Sequence, residues 1–478
     1  LIGRELGFIL RLPLDEGGPM EPRASNRTIA EKDVDAVLHP YTNLKRHPEV
    51  GPLVITRGAG VRVYDEAGKD YIEGLAGLWC TSLGWGEERL VEAAARQMRQ
   101  LPFYHLFSHK AHDAGVELCA RLIEMAPVPM SKVFLAGSGS EANDTAIKLI
   151  RYRSNALGKP DKKKIIARDR AYHGVTVATA SLTGLVNNQR SFDLPMPGVL
   201  RAACPHHYRF GAAGESEEDF ATRLAGELEA LILAEGPETV AAFFAEPVMG
   251  AGGVIVPPTT YFPKIQAVLD RYDVLLVVDE VICGFGRTGN MFGTETFGIR
   301  PDMMTLAKGL TSGYAPLSAL MVNERVYGPV MEEAGRIGVF GHGYTYGGHP
   351  VSAAVAVETL NIYAERDILS HVRAVAPVLQ EGLEALRDHP LVGEARGIGL
   401  IGALELVADK AAKTPFPPEL GIGARVVAKA QAKGVILRAM GDAVAFAPPL
   451  IISADEIREM LRRFGAALDE AHGELGRT

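Results

Sequence analysis

The chain has 478 residues, 47% of them hydrophobic and 23% charged, with a formal net charge of -8. That length can bury a core large enough for more than one domain, and the acidic balance excludes the basic footprint of a binder of nucleic acid or anionic membrane. Four cysteines (Cys80, Cys119, Cys204, Cys283) without C-x-x-C spacing argue against a disulfide framework or a zinc site and fit a reducing cytoplasm, and no apolar run reaches the roughly 18 residues of a spanning helix.

The chain starts at Leu1, and its first methionine is Met20. Arg4, Glu5 and Arg11 interrupt the early apolar stretch, which makes it a poor secretory signal. Residues 1–19 are therefore expected to be an upstream or vector-derived extension with no role in the fold. Residues 61–75 read as a hairpin turning at Ala67 and Gly68. From residue 132 onward, short apolar runs alternate with helical stretches. The runs cover 132–137, 164–169, 240–248, 274–280, 303–308 and 317–323, and their length and β-branched content mark strands buried on both faces. The segment SGSEANDTAIKLIRYR reads as a helix opening at a Ser138/Glu141 capping box, with Ala142, Ala146, Leu149 and Ile150 on one face. This alternation predicts a doubly wound α/β fold with a mostly parallel sheet. Residues 365–478 mix helices with short strands, and the last helix opens at Ser453/Glu456. The expected division is 20–75 and 351–478 as a smaller domain and 76–350 as a large one. Loops at 158–164 and 205–219 are expected in solvent.

In open α/β sheets the ligand sits beyond the carboxyl ends of the strands. Three runs end in polar groups there: Glu246, Asp279 and Lys308. A fourth leads into GSGSE and a helix start. Free N–H groups at a helix start suit a phosphate, a desolvated lysine can condense with an aldehyde, and a buried carboxylate can keep a pyridine nitrogen protonated. Phosphate, aldehyde and pyridinium together describe pyridoxal phosphate. Gly284, Gly286 and Gly289 also spell G-x-G-x-x-G, the pattern of a dinucleotide cradle. Four residues separate it from Asp279 and no helical period follows, so the context a nicotinamide site needs is missing.

The ordered set SGSEAND, YHG (172–174), EPVMGAGG (246–253), DEVICGFGRTG, MTLAKGL and GYTYGGHP (343–350) resembles the class III aminotransferases of pyridoxal phosphate fold type I, from about residue 40 to the end. The resemblance implies a large domain with a seven-stranded sheet, a smaller α+β domain, and a homodimer (or a tetramer built from it) with active sites at the subunit interface. It implies that Lys308 carries the cofactor and shuttles the proton, and that Asp279 pairs with the pyridine nitrogen. Ser138, Gly139 and Ser140 would hold the phosphate with Thr345 from the other subunit. Tyr172 and Val281 would cover the two ring faces, beside His173, and Glu246 would support the ring hydroxyl.

Members acting on α-amino acids such as ornithine commonly carry an arginine just before FAPPL, where this chain has Ala445. Arg438 in LRAMGD instead resembles the ω-transaminases that pair amines with pyruvate. Their arginine swings in for a carboxylate and out for an uncharged amine. Leu78, Trp79, Phe107, Ala251 and Met440 would line the substrate pocket. Other reactions on the same scaffold (aminomutase, decarboxylase, lyase), a cofactor-binding protein without activity and a nicotinamide-dependent oxidoreductase are the alternatives. His105, His109 and His112 could lie along one helical face but have no matching ligand set for a metal, His206 and His207 sit in a polar loop and need no role, and Arg396 reads as a structural turn residue.

Overall fold

The computed structural model of the protein describes residues 27–475, so the extension expected over 1–19 lies outside them. The described residues up to Thr56 form one compact unit and those from Arg57 another. In the first, helix α1 (Ile29–Ala36) opens at a complete capping box of Thr28 and Glu31. Asp33 on that helix meets the Nε2 atoms of His39 and His47 at 2.8 and 2.9 Å.

The second unit is organised by a seven-stranded sheet: β1 (Lys132–Ala136), β2 (Lys164–Arg168), β3 (Val199–Ala202), β4 (Val240–Ala245), β5 (Leu275–Asp279), β6 (Met303–Leu306) and β7 (Ser318–Val322), in the order β1-β7-β6-β5-β4-β2-β3. The pairings β6-β5-β4-β2-β3 are parallel, and β7 runs antiparallel to both its neighbours. Every residue of β4 and β5 is buried, and alternate residues serve opposite faces. Leu276 and Val278 join Phe243 and the helices Glu217–Glu235 and Tyr261–Arg271 on one side. Leu275 and Val277 join Phe244 and helix α2 (Gly139–Ala156) on the other, through Ala142, Ala146, Leu149 and Ile150.

A second sheet, all antiparallel, orders Val392–Ile398, Ile401–Leu406, Ala443–Phe446 and Arg438–Met440. Its core is shared with helices α3 (Ile368–Leu386) and α4 (Ala454–Leu475). The Ser453/Glu456 box that opens α4 is complete, and Ile457, Met460, Leu461 and Phe464 are buried as read. The hairpin Arg62–Asp65/Asp70–Glu73 also forms, and Val435–Ile436 adds to it in parallel.

Three local expectations are corrected. β3 is an additional, half-buried strand. The 158–164 loop buries Lys162, whose ammonium donates to the Pro237 and Tyr272 carbonyls at 3.2 and 3.1 Å. Within 205–219, residues His207–Phe210 form a helical turn, and buried His206 meets Glu394 at 2.8 Å. His105 and His109 lie outside any helix, while His112 caps Asp113–Glu124. No helix among the described residues is long and apolar enough to cross a membrane.

Candidate active site

β6, β5 and β4 are neighbours, so their carboxyl ends bring Lys308, Asp279 and Glu246 to one edge. Asp279 is the last residue of β5, Glu246 follows β4, and Lys308 begins a 3-10 turn two residues beyond β6. Lys308 has φ 50, a left-handed conformation unfavourable for a side chain with a Cβ, of the kind that collects at functional sites. Burial pushes its ammonium below the ordinary lysine range, against the pull of Cys80, Asp279 and Glu246. A lysine so placed is easier to deprotonate and thus more nucleophilic.

Asp279 is buried, which by itself would raise its carboxyl. His173 and Asn143 outweigh that and hold it below the usual range. Its Oδ2 meets His173 Nδ1 at 2.9 Å and accepts from Asn143 Nδ2 at 2.8 Å; its Oδ1 accepts the Val281 N–H at 3.1 Å. The same Asn143 amide donates to the His173 carbonyl at 2.9 Å, tying the three together. His173, expected beside the cofactor ring, lies on the acid, which does not conflict with that place. Asn143 was not singled out, although it stands in SGSEAND, one helical turn past Gly139. The buried His173 Nε2 and Asn143 Oδ1 have no hydrogen-bond partner among the described residues. Glu246 accepts the Tyr172 and Gly250 N–H groups, each at 3.1 Å, and burial raises its carboxyl.

At the start of α2, the Ser138 hydroxyl accepts the Glu141 N–H at 3.2 Å. The reciprocal bond of the expected capping box is absent: the Glu141 carboxylate accepts from Gly137 N at 2.6 Å. A Cβ at Gly139 would lie 3.1 Å from Val281 Cγ2, so glycine opens the helix start next to Val281. Ser140 Oγ accepts the Val175 N–H at 3.2 Å.

Trp79 stands beside both Lys308 and Arg438. Its buried ring has Lys308 Nζ at 5.6 Å and the Arg438 guanidinium at 5.5 Å from the centroid. Met440 packs on the cluster that contains Trp79. Ala251 is buried and Leu78 half exposed. Phe107 and Thr345 are exposed. Phe107 sits against Gly343, two residues before Thr345, where an added Cβ would be 2.8 Å from its ring. Arg396 is on a strand, not a turn: it donates to the Gly253 and Val254 carbonyls and pairs with Glu394 and Glu405. The glycines of GFGRTG lie in consecutive turns, with Gly286 and Gly289 at φ 92 and 97, and open no dinucleotide-type helix.

The family model "Aminotransferase class-III" matches residues 44–468. The chain belongs to that family. This aminotransferase is 50% identical over 463 residues to the chloroplastic γ-aminobutyrate transaminase 3 of Solanum lycopersicum, covering 95% of this chain and 89% of that one. Against the mitochondrial γ-aminobutyrate transaminase 1 of Oryza sativa subsp. japonica, identity is 50% over 433 residues, with 90% and 84% covered. The ω-transaminase of Pseudomonas jessenii in complex with PMP superposes with a TM-score of 0.93 at 56% identity, covering 94% of this chain and 99% of that one. The fold is therefore fold type I, and the aminotransferase catalyses transamination between an amine and a keto acid with pyridoxal phosphate.

The residues present fit that cofactor. The opened helix start suits the phosphate, ionised Asp279 suits a protonated pyridine nitrogen, and the amine of Lys308 faces the same strand edge. When bound, pyridoxal phosphate supplies an aldehyde carbon and a ring that accepts electrons. With that group bound, Lys308 Nζ would be placed to act as a base, and Asp279, held by His173 and Asn143, would offer a fixed negative charge.

Proposed function

We propose that this aminotransferase moves the amino group of a primary amine or ω-amino acid to pyruvate, giving alanine, by a ping-pong mechanism. The observation that carries the reading is Arg438 beside the Trp79 ring, with Lys308 on the same ring. A guanidinium there can pair with the carboxylate of a keto acid, while the tryptophan offers apolar surface to an uncharged amine. Ala445 occupies the strand position paired with Arg438, so no second arginine stands there to demand a carboxylate on the donor. The ω-transaminase neighbours support the same reading. One of them, engineered for asymmetric synthesis of enantiopure bulky amines, is substituted at a tryptophan, a phenylalanine and an arginine whose spacing equals that of Trp79, Phe107 and Arg438. The relatives named γ-aminobutyrate transaminases support an ω-amino acid among the donors.

In this reading Lys308 binds the cofactor and moves the proton, and Asp279 faces the pyridine nitrogen. Ser138, Gly139 and Ser140 hold the phosphate, and Tyr172, His173, Val281 and Glu246 surround the ring. Leu78, Trp79, Phe107, Ala251, Arg438 and Met440 shape the substrate pocket. A homodimer belongs to the proposal, with Thr345 and Phe107 serving the site of the other subunit; their exposure, and the packing of Phe107 against Gly343 just before Thr345, support it. A cytoplasmic location belongs to it too, supported by four free cysteines.

Arg438→Ala tests the acceptor assignment. The KM for pyruvate should rise by about 10- to 100-fold, the worth of one charge-assisted pair, with the KM for an uncharged arylalkylamine changing little. Equal effects on both would refute the assignment.

A further inference from the structure

The turn that delivers Trp79, GLAGLW (74–79), has an unusual backbone. Ala76, Gly77 and Trp79 have φ of 49, 71 and 59, and two of the three carry a Cβ that disfavours this region. Immediately before the turn, Glu73 ends its strand with its side chain buried, 4% exposed. No cation pairs with it among the described residues. Both of its oxygens are directed at the turn: Oε1 accepts the Leu75 N–H at 3.0 Å, and Oε2 accepts the Gly77 N–H. A buried carboxyl without a counter-ion is costly, and burial pushes this one up to about 7 against the pull of those two bonds. The fold accepts that cost at the turn that places Trp79 beside Lys308 and Arg438. The turn also meets the segment that follows the lysine, since a Cβ at Gly313 would be 3.2 Å from Cys80 Cβ.

We propose that Glu73 is a positioning residue for the substrate pocket: by gripping the Leu75 and Gly77 N–H groups it fixes the left-handed turn that sets the Trp79 ring beside Lys308 and Arg438, and so determines which amines fit. The inference rests on the reading of Trp79 as a pocket wall. Glu73 touches neither substrate nor cofactor and acts through Trp79. Glu73→Gln nearly preserves shape but replaces one of the two acceptors with an NH2 that confronts a backbone N–H. The turn then loses one of its two holds.

The test uses the holoenzyme and compares Glu73→Gln, Trp79→Leu and the double variant. Each is measured for kcat/KM with a bulky arylalkylamine and with a small linear amine, pyruvate being the acceptor. Glu73→Gln should change the ratio of the two by 10-fold or more, chiefly through KM. The double variant should match Trp79→Leu, because positioning has no effect once the positioned ring is gone. The emission of Trp79 in a Trp85→Phe background, where it is the remaining tryptophan, should shift to the red on Glu73→Gln. A selectivity ratio unchanged in Trp79→Leu would overturn the pocket-wall reading itself. A ratio changed in Trp79→Leu but unchanged in Glu73→Gln would overturn the role of Glu73 alone, as would effects that add in the double variant. Should Glu73→Gln fail to fold, Glu73→Asp serves as the second variant: it keeps both acceptors on a shorter arm, and an unaltered ratio and Trp79 emission with Glu73→Asp would also overturn the role.

Discussion

Lys308 and Asp279 show how position alone alters a side chain. The lysine is burdened by burial and stands in a left-handed conformation, while the acid is kept charged by a histidine and an amide that also bond each other. Lys308→Ala is expected to lower turnover by about 10⁴-fold or more, since nucleophile and general base vanish together. Thermal stability should hold or rise, because alanine meets the same backbone strain without a buried amine. Transamination rates and a melting curve check both. Retention of full activity would remove Lys308 from its proposed role. Asp279 was readable from the sequence as the polar end of an apolar strand. Asn143 was not, because it lies inside an amphipathic helix where polarity usually means solvent. Its neighbours become visible only once α2 is laid on the sheet.

At the scale of elements, six of the seven strands of the large sheet are apolar runs that the sequence displays openly. β3, reading VLRA, is not, because Arg201 interrupts it. That guanidinium turns to the Ser181, Leu182 and Thr183 carbonyls, and the strand lies at the sheet edge, where burial on both faces is not required. The capping box of α2 was half right for a similar reason. Ser138 caps as its residue type prefers, but Glu141 reaches past the cap to Gly137. The helix start carries its own expectation. Gly139→Ala pushes a methyl to 3.1 Å from Val281, so Val281 or the helix start must move. Cofactor affinity is expected to fall by about 10-fold or more, equivalent to about 1.4 kcal/mol, with the far-ultraviolet circular dichroism unchanged. Titration of apoenzyme with pyridoxal phosphate measures it, and unaltered affinity would mean that this helix start does not hold the phosphate.

At the scale of the molecule, charge buried outside the site sets the response to acid. Glu405 lies with Arg396, Arg209 and His206. Burial raises its carboxyl, but the surrounding cations prevail and hold it at about 2. A carboxyl depressed by folding adds stability above its unfolded value near 4.3 and loses it as pH falls toward its folded value. Glu405→Gln is therefore expected to be less stable than the parent at pH 7 by about 3 kcal/mol, with the gap narrowing from about pH 4.5 downward. Denaturant titrations at pH 7, 4.5 and 3 read this directly, and a gap constant with pH would exclude the ion cluster as its source. The fold class and the helix–strand alternation were legible at this scale. The ion cluster was not, because its members come from distant stretches, around residues 206, 394 and 405, that only the closed fold brings together.

The adjacency of β4, β5 and β6 has a consequence for the order of events in folding. Glu246, Asp279 and Lys308 each sit at the end of a different strand, joined by long crossovers through helices or loops. All three cannot come together until two non-local parallel pairings have closed, and such pairings are slow to form. Helices can therefore appear early in refolding while the reactive edge is still in pieces, and capture of pyridoxal phosphate should be among the last events. A refolding chain that binds the cofactor has already assembled the centre of its sheet.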